Sequence, residues 1–173
     1  MQTTSSLFLT GFMGAGKSTI GKRWATYLKV PFFDLDTEIE AYLGCSIRDY
    51  FFTYGEGAFR KVETLLLQEI IGREQAVVAT GGGIVVSEEN RHFLKQQPSV
   101  VYLATPFSVC YERILHDKNR PVAKEKTKEQ LVALYEQRLP LYKETAQYEI
   151  NPTLYLQEEL VKYVETFKPF SHG

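Results

Sequence analysis

The chain lacks most of the features that would announce a specialised partner. Two cysteines stand far apart among 173 residues, at Cys45 and Cys110, and neither belongs to a C-x-x-C pair. That excludes a disulfide framework and a cysteine-built zinc site, and both are expected to be small buried hydrophobes in a reducing compartment. The histidines, His92, His116 and His172, share no metal-ligand spacing with them. Neither sign of charge is in excess: 20 Lys and Arg against 21 Asp and Glu leave a formal charge of -1 and a pI near 6.3. The basic surplus that phosphate-backbone binding requires is missing, so nucleic acid is not an expected partner. No apolar run approaches the roughly 20 residues that span a bilayer. Met1-Gln2-Thr3-Thr4-Ser5-Ser6 places no cation ahead of its apolar run, so neither a membrane anchor nor a signal peptide is expected, and the expected location is the cytoplasm. Internal repeats, low-complexity segments and linkers are absent as well. What is left is 44% hydrophobic and 24% charged residues, a globular balance with little room for disorder, in a length that predicts one domain over residues 1–173.

One stretch stands out from this plain composition. Gly11-Phe12-Met13-Gly14-Ala15-Gly16-Lys17-Ser18-Thr19 follows the apolar run Leu7-Phe8-Leu9 and precedes a helical pattern over residues 20–28. The spacing fits G-x-x-x-x-G-K-[ST], a phosphate-binding P-loop, whose glycines let the backbone wrap closely enough to aim several N–H groups at one phosphate. Gly14, Ala15, Gly16, Lys17, Ser18 and Thr19 are therefore candidate ATP-binding residues. Lys17 adds a point charge near the outer phosphates, and the Ser18 hydroxyl suits Mg2+. The positive end of the following helix faces the same anion. The loop predicts a bound nucleotide and leaves the phosphoryl acceptor open.

Strand and helix patterns alternate along the rest of the chain, which predicts a parallel α/β sheet with right-handed crossovers. A strand over residues 30–33 ends in Asp34-Leu35-Asp36, and strand alternation sends both carboxylates to one face. Either the pair meets a ligand in the crevice beyond the strand's carboxyl end, or Asp36 caps a helix over residues 37–43. A helix over 47–53, a turn at Tyr54-Gly55-Glu56-Gly57 and a helix over 58–71 come next. In the last of these, Phe59, Val62, Leu66 and Ile70 share one face, and Glu63 projects into it with Arg60 at its edge. Charges so placed need each other or an anionic ligand. The strand over 75–80 runs into Gly81-Gly82-Gly83, whose entropic cost points to close approach of backbone and ligand.

Ser87 caps a helix reaching residue 96, residues 99–103 form a strand, and Thr105-Pro106 opens a helix to 115 with the threonine as cap. The long polar segment 116–126, Arg120 included, reads as a lid able to close over phosphates. Thr127-Lys128-Glu129-Gln130 is a capping box. It opens a helix whose arc of Leu131, Leu134, Tyr135, Leu139 and Tyr142 carries Arg138 at its middle, and Pro140 is expected to kink or end that helix. A strand at 148–150 and a helix over 154–167 follow.

Six motifs in order make the chain resemble the shikimate kinase family over nearly its whole length: G-F-M-G-A-G-K-S-T at 11–19, D-L-D-T-E-I-E at 34–40, F-R-K-V-E at 59–63, G-G-G at 81–83, R-P at 120–121 and R-L-P-L-Y at 138–142. The P-loop alone is shared with many kinases, whereas D-L-D, F-R-x-x-E and G-G-G in that order are far more specific. The resemblance implies a three-layer P-loop kinase fold: a five-stranded parallel sheet of order 2-3-1-4-5 flanked by helices, with a substrate-binding region near 34–63 and a mobile lid near 116–127. The implied reaction moves the ATP γ-phosphoryl group to the 3-hydroxyl of shikimate, in the route to chorismate and the aromatic amino acids, with Mg2+ as cofactor and a monomer as the working unit.

Implied catalytic residues are Lys17, Asp36 and Arg120. Asp36 would hold the attacking hydroxyl, as an orienting group or also as a base, and Arg120 would reach the ATP phosphates with the lid. Arg60 and Arg138 would clamp the shikimate carboxylate, with Glu63 fixing Arg60 and Gly81, Gly82 and Gly83 supplying backbone N–H groups. Ser18 would touch Mg2+ directly and Asp34 through water. The alternatives are a kinase for another small hydroxy acid such as gluconate, and a nucleotide-binding module without catalysis. Two departures from the family pattern are the lid sequence Arg120-Pro121-Val122-Ala123, where two leucines more often follow the proline, and a short loop at Asn151-Pro152-Thr153 with no arginine for adenine.

Overall fold

The computed structural model describes residues 5–117 and 125–167. Its centre is a sheet of five strands, β1 (Leu7–Thr10), β2 (Phe32–Asp34), β3 (Val77–Ala79), β4 (Val100–Leu103) and β5 (Tyr148–Ile150), in the order β2-β3-β1-β4-β5. Every pairing is parallel, with Leu7 opposite Val77 and Phe8 opposite Val100 across the middle strand. β1, β3 and β4 are buried along their whole length. This is why they read as unbroken apolar runs: helices cover both faces of a parallel sheet and leave no solvent side for polar residues. Because β1 is the middle strand, the glycine loop that follows it emerges from the centre of the sheet.

Seven helices join the strands among the described residues: α1 (Lys17–Leu28), α2 (Leu35–Leu43), α3 (Ile47–Ile71), α4 (Glu88–Lys95), α5 (Phe107–His116), α6 (Lys128–Thr145) and α7 (Gln157–Tyr163). Trp24 on α1 is fully buried; its indole N–H donates to the Leu160 carbonyl at 2.8 Å and its ring meets Phe167 edge-on. The end of the chain is thereby clasped to the P-loop helix. No helix among the described residues is long and apolar enough to cross a membrane.

The elements fall where sequence patterning puts them, with several local differences. The turn expected at residues 54–57 is a kink at one residue: α3 runs from Ile47 to Ile71, and only Gly55, at φ 85° and ψ 174°, leaves helical geometry. Asp34, rather than Asp36, caps α2. The strand ends at Asp34, whose Oδ1 accepts from the N–H groups of Asp36 (3.1 Å) and Thr37 (3.3 Å). Asp36 thus lies in the first helical turn, and strand alternation does not govern where it points. Thr105 is not the cap of α5; the helix starts at Phe107 after Pro106, and the Thr105 hydroxyl donates to the Ala15 carbonyl at 2.8 Å, bracing the P-loop. Pro140 does not end α6, which continues to Thr145. The expected closing helix is α7 flanked by two 3-10 turns, Pro152–Leu154 and Val164–Thr166. Cys110 is buried as expected, but Cys45, in the turn between α2 and α3, is exposed. The Thr127 and Gln130 capping box forms as expected.

Neighbouring leucines on α3 offer a contrast that tests this packing. Leu67 is fully buried and Leu65 is 48% exposed. Leu67→Ala is expected to cost about 2–5 kcal/mol in urea unfolding through the cavity it leaves. Leu65→Ala is expected to stay within about 0.5 kcal/mol of the parent.

Candidate active site

The phosphate half of the site is the loop after β1. Gly14 (φ 81°) and Gly16 (φ 100°) take left-handed conformations that a side chain would strain, and a methyl group on Gly14 would lie 2.8 Å from the Cys110 carbonyl oxygen. Gly16 caps α1 without a side-chain hydrogen bond, and the first turn of α1 holds no acidic residue. Its N–H groups and the helix dipole therefore point at an anion with no carboxylate competing for them. The Lys17 ammonium folds back onto its own loop, donating to the carbonyls of Gly11 and of Phe12, the latter at 3.3 Å. The Ser18 hydroxyl donates to Asp34 Oδ2 at 2.6 Å. A hydroxyl and a carboxylate side by side form a hard oxygen pair that fits Mg2+, which typically takes one or two protein oxygens and completes its shell with water and phosphate.

The second half assembles around Gly81, Gly82 and Gly83. Thr80 anchors this run to β1, its N–H and hydroxyl both meeting the Leu9 carbonyl, at 3.0 and 2.7 Å. Side chains from three helices then converge on it. A methyl group on Gly81 would lie 2.7 Å from Asp36 Oδ1 (α2), one on Gly83 would lie 2.5 Å from Arg60 Nη2 (α3), and one on Gly82 would lie 3.7 Å from Arg138 Nη1 (α6) and 3.3 Å from the Met13 N–H nitrogen of the P-loop. The glycine run thus touches both halves. Tyr142, one turn beyond Arg138 and stacked on Tyr102, donates its hydroxyl to the Gly82 carbonyl. Burial pushes the Tyr142 hydroxyl above its ordinary pKa, so it stays a donor.

Two guanidinium groups, Arg60 and Arg138, and two carboxylates, Asp36 and Glu63, meet in this half. Arg60 Nη1 donates to both oxygens of Glu63, at 3.0 and 3.2 Å, and Glu63 is 1% exposed. Burial pushes the Glu63 carboxyl up from its ordinary range, and Arg60 opposes that rise. Burial also pushes the Arg138 guanidinium down; Tyr142 opposes the change and the charge of Arg60 adds to it. Arg60 Nε and Arg138 Nε are both buried without a hydrogen-bond partner among the described residues. An unsatisfied buried donor costs about 1–3 kcal/mol, and two on neighbouring cations are relieved together by one planar anion.

A groove of about 470 Å³ extends from the P-loop past the ends of α5 and β5 and is lined by Arg23, Arg113, Asp117, Pro152, Thr153 and Tyr155. Sequence reasoning left the nucleotide-base side of the site without residues because the Asn151-Pro152-Thr153 loop has no arginine. The loop does line the groove, and an arginine reaches it from elsewhere: Arg113, whose Nη1 donates to the Gly14 carbonyl at 3.0 Å. No local sequence signal marks Arg113 for this place, because the contact arises from α5 packing against the loop at Gly14. Of the expected site residues, the P-loop set, Asp34, Asp36, Arg60, Glu63, Arg138 and the glycine run come together. Arg120 and most of the expected lid lie outside the described residues.

With phosphate-binding backbone on one bank and a carboxylate beside paired arginines on the other, this crevice suits phosphoryl transfer to a small acid, and the sheet order places the chain among the P-loop kinases. A solved gluconokinase from Sinorhizobium meliloti shares the architecture at 18% identity and a TM-score of 0.58, over 94% of this chain and 90% of that one; such likeness speaks to fold alone. The shikimate kinase of Acinetobacter baumannii, solved in complex with shikimate, superposes with a TM-score of 0.85 at 39% identity, over 94% of this chain and 92% of that one. The shikimate kinase of Enterococcus faecalis is 46% identical over 162 residues, 92% of this chain and 95% of its own. The family model for shikimate kinase matches residues 13–167. The chain belongs to the shikimate kinase family.

The glycine run supplies a test of the geometry. In Gly83→Ala the atoms nearest the added methyl all belong to the flexible end of Arg60, so the fold is expected to survive while Arg60 is displaced and the acceptor acid binds at least about tenfold more weakly by calorimetry. Gly57→Ala, with open space around its methyl, is the control and should bind as the parent does.

Proposed function

We propose that this chain catalyses transfer of the γ-phosphoryl group of ATP to the 3-hydroxyl of shikimate, giving ADP and shikimate 3-phosphate. The observation that carries this reading is the pair of part-buried arginines, Arg60 and Arg138, each with a buried Nε that has no partner among the described residues, beside Asp36 and across the glycine run from the P-loop. Two planar forks take a carboxylate and fix the ring that bears it. Residues 1–173 work as one kinase domain in which residues 34–63 carry much of the acceptor site. The cytoplasm is the expected location, with ATP and shikimate as partners, no nucleic acid, and a monomer as the active unit.

Phosphoryl transfer through a loose transition state needs alignment and charge neutralisation more than bond-making by the protein. The backbone of Gly14, Ala15 and Gly16 and the first turn of α1, through Lys17, Ser18 and Thr19, cradle the phosphates. On nucleotide binding Lys17 exchanges its loop carbonyls for phosphate oxygens. Ser18 would hold Mg2+ directly and Asp34 through water, and the ion would supply neutralisation of charge on the transferring oxygens. Asp36 accepts a hydrogen bond from the attacking 3-hydroxyl and aims its lone pair at phosphorus, and the hydroxyl proton passes to Asp36 or to solvent as the new P–O bond forms and the bond to ADP breaks. Arg60, set by Glu63, binds the shikimate carboxylate with Arg138 and the N–H groups of the glycine run. Arg120, which lies outside the described residues, would act on the phosphates, and the groove at Arg113 and Pro152 takes the nucleoside.

A coupled assay of ADP release over a panel of hydroxy acids tests the reading. Shikimate alone should stimulate turnover; stimulation by gluconate instead, or by none of the acids, would overturn it. Asp36→Asn is expected to lower kcat by about 10²-fold or more while changing the shikimate KM little. Arg138→Ala is expected to weaken shikimate binding at least tenfold, about 1.4 kcal/mol, and unchanged affinity would sink the carboxylate assignment.

A further inference from the structure

Asn90 lies in the first turn of α4, outside every motif that the sequence singles out, and its side chain is fully buried. A buried carboxamide is tolerated only when its donors and acceptor are matched. Its Oδ1 accepts from the Thr64 hydroxyl at 2.6 Å, and its Nδ2 donates to Glu63 Oε1 at 3.2 Å. The partners dictate which way round the amide sits, because an ionised carboxylate can only accept, so the amide nitrogen must face Glu63. The residue is seated by its own N–H, which donates to the Ser87 hydroxyl at the helix cap, 3.3 Å away. Glu63 Oε1 is thus shared by Arg60 and Asn90. The other carboxylate on Arg60, Glu56, stands at 3.5 Å and is 56% exposed, a pairing of little strength.

We propose that Asn90 is a positioning residue for the acceptor: it fixes the Glu63 carboxylate, and through it the Arg60 fork that receives the acceptor's own carboxylate. This rests on the role given to Arg60 under the proposed function. Arg60 has a long flexible stem, and Glu63 alone could swing with it; a donor from a separate helix pins the pair to the far side of the site. Asn90 also has to be neutral. Besides Asn90, the charged groups that act on Glu63 are Arg60 on α3, Asp36 on α2 and Arg138 on α6. A carboxylate at position 90 would add a second negative charge against Glu63 and cancel part of the positive charge that attracts the acceptor.

Steady-state kinetics of the full chain with ATP and shikimate test this, using Asn90→Asp and Thr64→Val. In the first variant the introduced carboxyl group and Glu63 would share one proton at low pH and lose it as pH rises through a raised apparent pKa. The shikimate KM of Asn90→Asp is therefore expected to climb more steeply with rising pH than that of the parent, by about tenfold or more at alkaline pH. Thr64→Val frees the amide to turn and is expected to raise the shikimate KM at all pH values by a smaller factor. In both variants the ATP KM should stay within about twofold of the parent. If Asn90→Asp does not fold, as judged by circular dichroism, Thr64→Val carries the test. Folded variants with the parent's shikimate KM across the pH range overturn the proposal, as do variants whose KM values for ATP and shikimate rise together. A parent chain that turns over ATP with no shikimate dependence overturns the proposed function and this inference with it, whereas a parent active on shikimate with inert variants overturns the inference alone.

Discussion

A methyl group at Gly81 or Gly83 would push Asp36 or Arg60 out of place, and the acceptor half of the site depends on its absence. Asp36, Arg60 and Arg138 come from three different helices, and they can crowd one point only because the backbone they crowd carries no side chains. Thr80 ties the same backbone to β1, and Gly82 lies against Met13 of the P-loop. A single constraint therefore sets the spacing between Asp36 and the P-loop. For a reaction whose catalysis is mostly alignment, that spacing is the main thing a fold must deliver.

Around this point the protein tolerates electrostatics that a purely structural core would avoid. Arg60 is close enough to disfavour the charge on Arg138, both keep a buried Nε with no partner among the described residues, and the buried carboxylate of Glu63 lies beside them. A buried ion pair is weak evidence for stability. Here the two unmatched Nε–H donors are the informative quantity, because a planar carboxylate suits them.

Much of this was legible in the sequence. Glycine spacing marked the P-loop, and helical periodicity put Glu63 and Arg138 on faces where charge had no structural reason to be. The parallel sheet followed from the alternation of apolar runs with helical stripes. What escaped detection turned on where elements end and on contacts across the fold. Whether Asp34 or Asp36 caps α2 depends on β2 stopping after only three residues. The kink in α3 is confined to Gly55 because one left-handed residue suffices to redirect a helix. Arg113 reaches the P-loop, and Asn90 reaches Glu63, from helices that read as ordinary amphipathic or polar segments. Local pattern carries no trace of such pairings, since each partner is unremarkable beside its own neighbours in the chain.

The clasp between α1 and the end of the chain has an optical consequence. Trp24 is the sole tryptophan in the sequence, it is sealed from water, and it sits on the helix that follows the P-loop. Indole emission from this protein therefore has one source, and its colour and intensity follow the polarity around a hydrogen bond to Leu160 and a ring contact with Phe167. Nature has placed a single chromophore on the shaft of the nucleotide loop, where any tilt of that shaft changes the light it gives out.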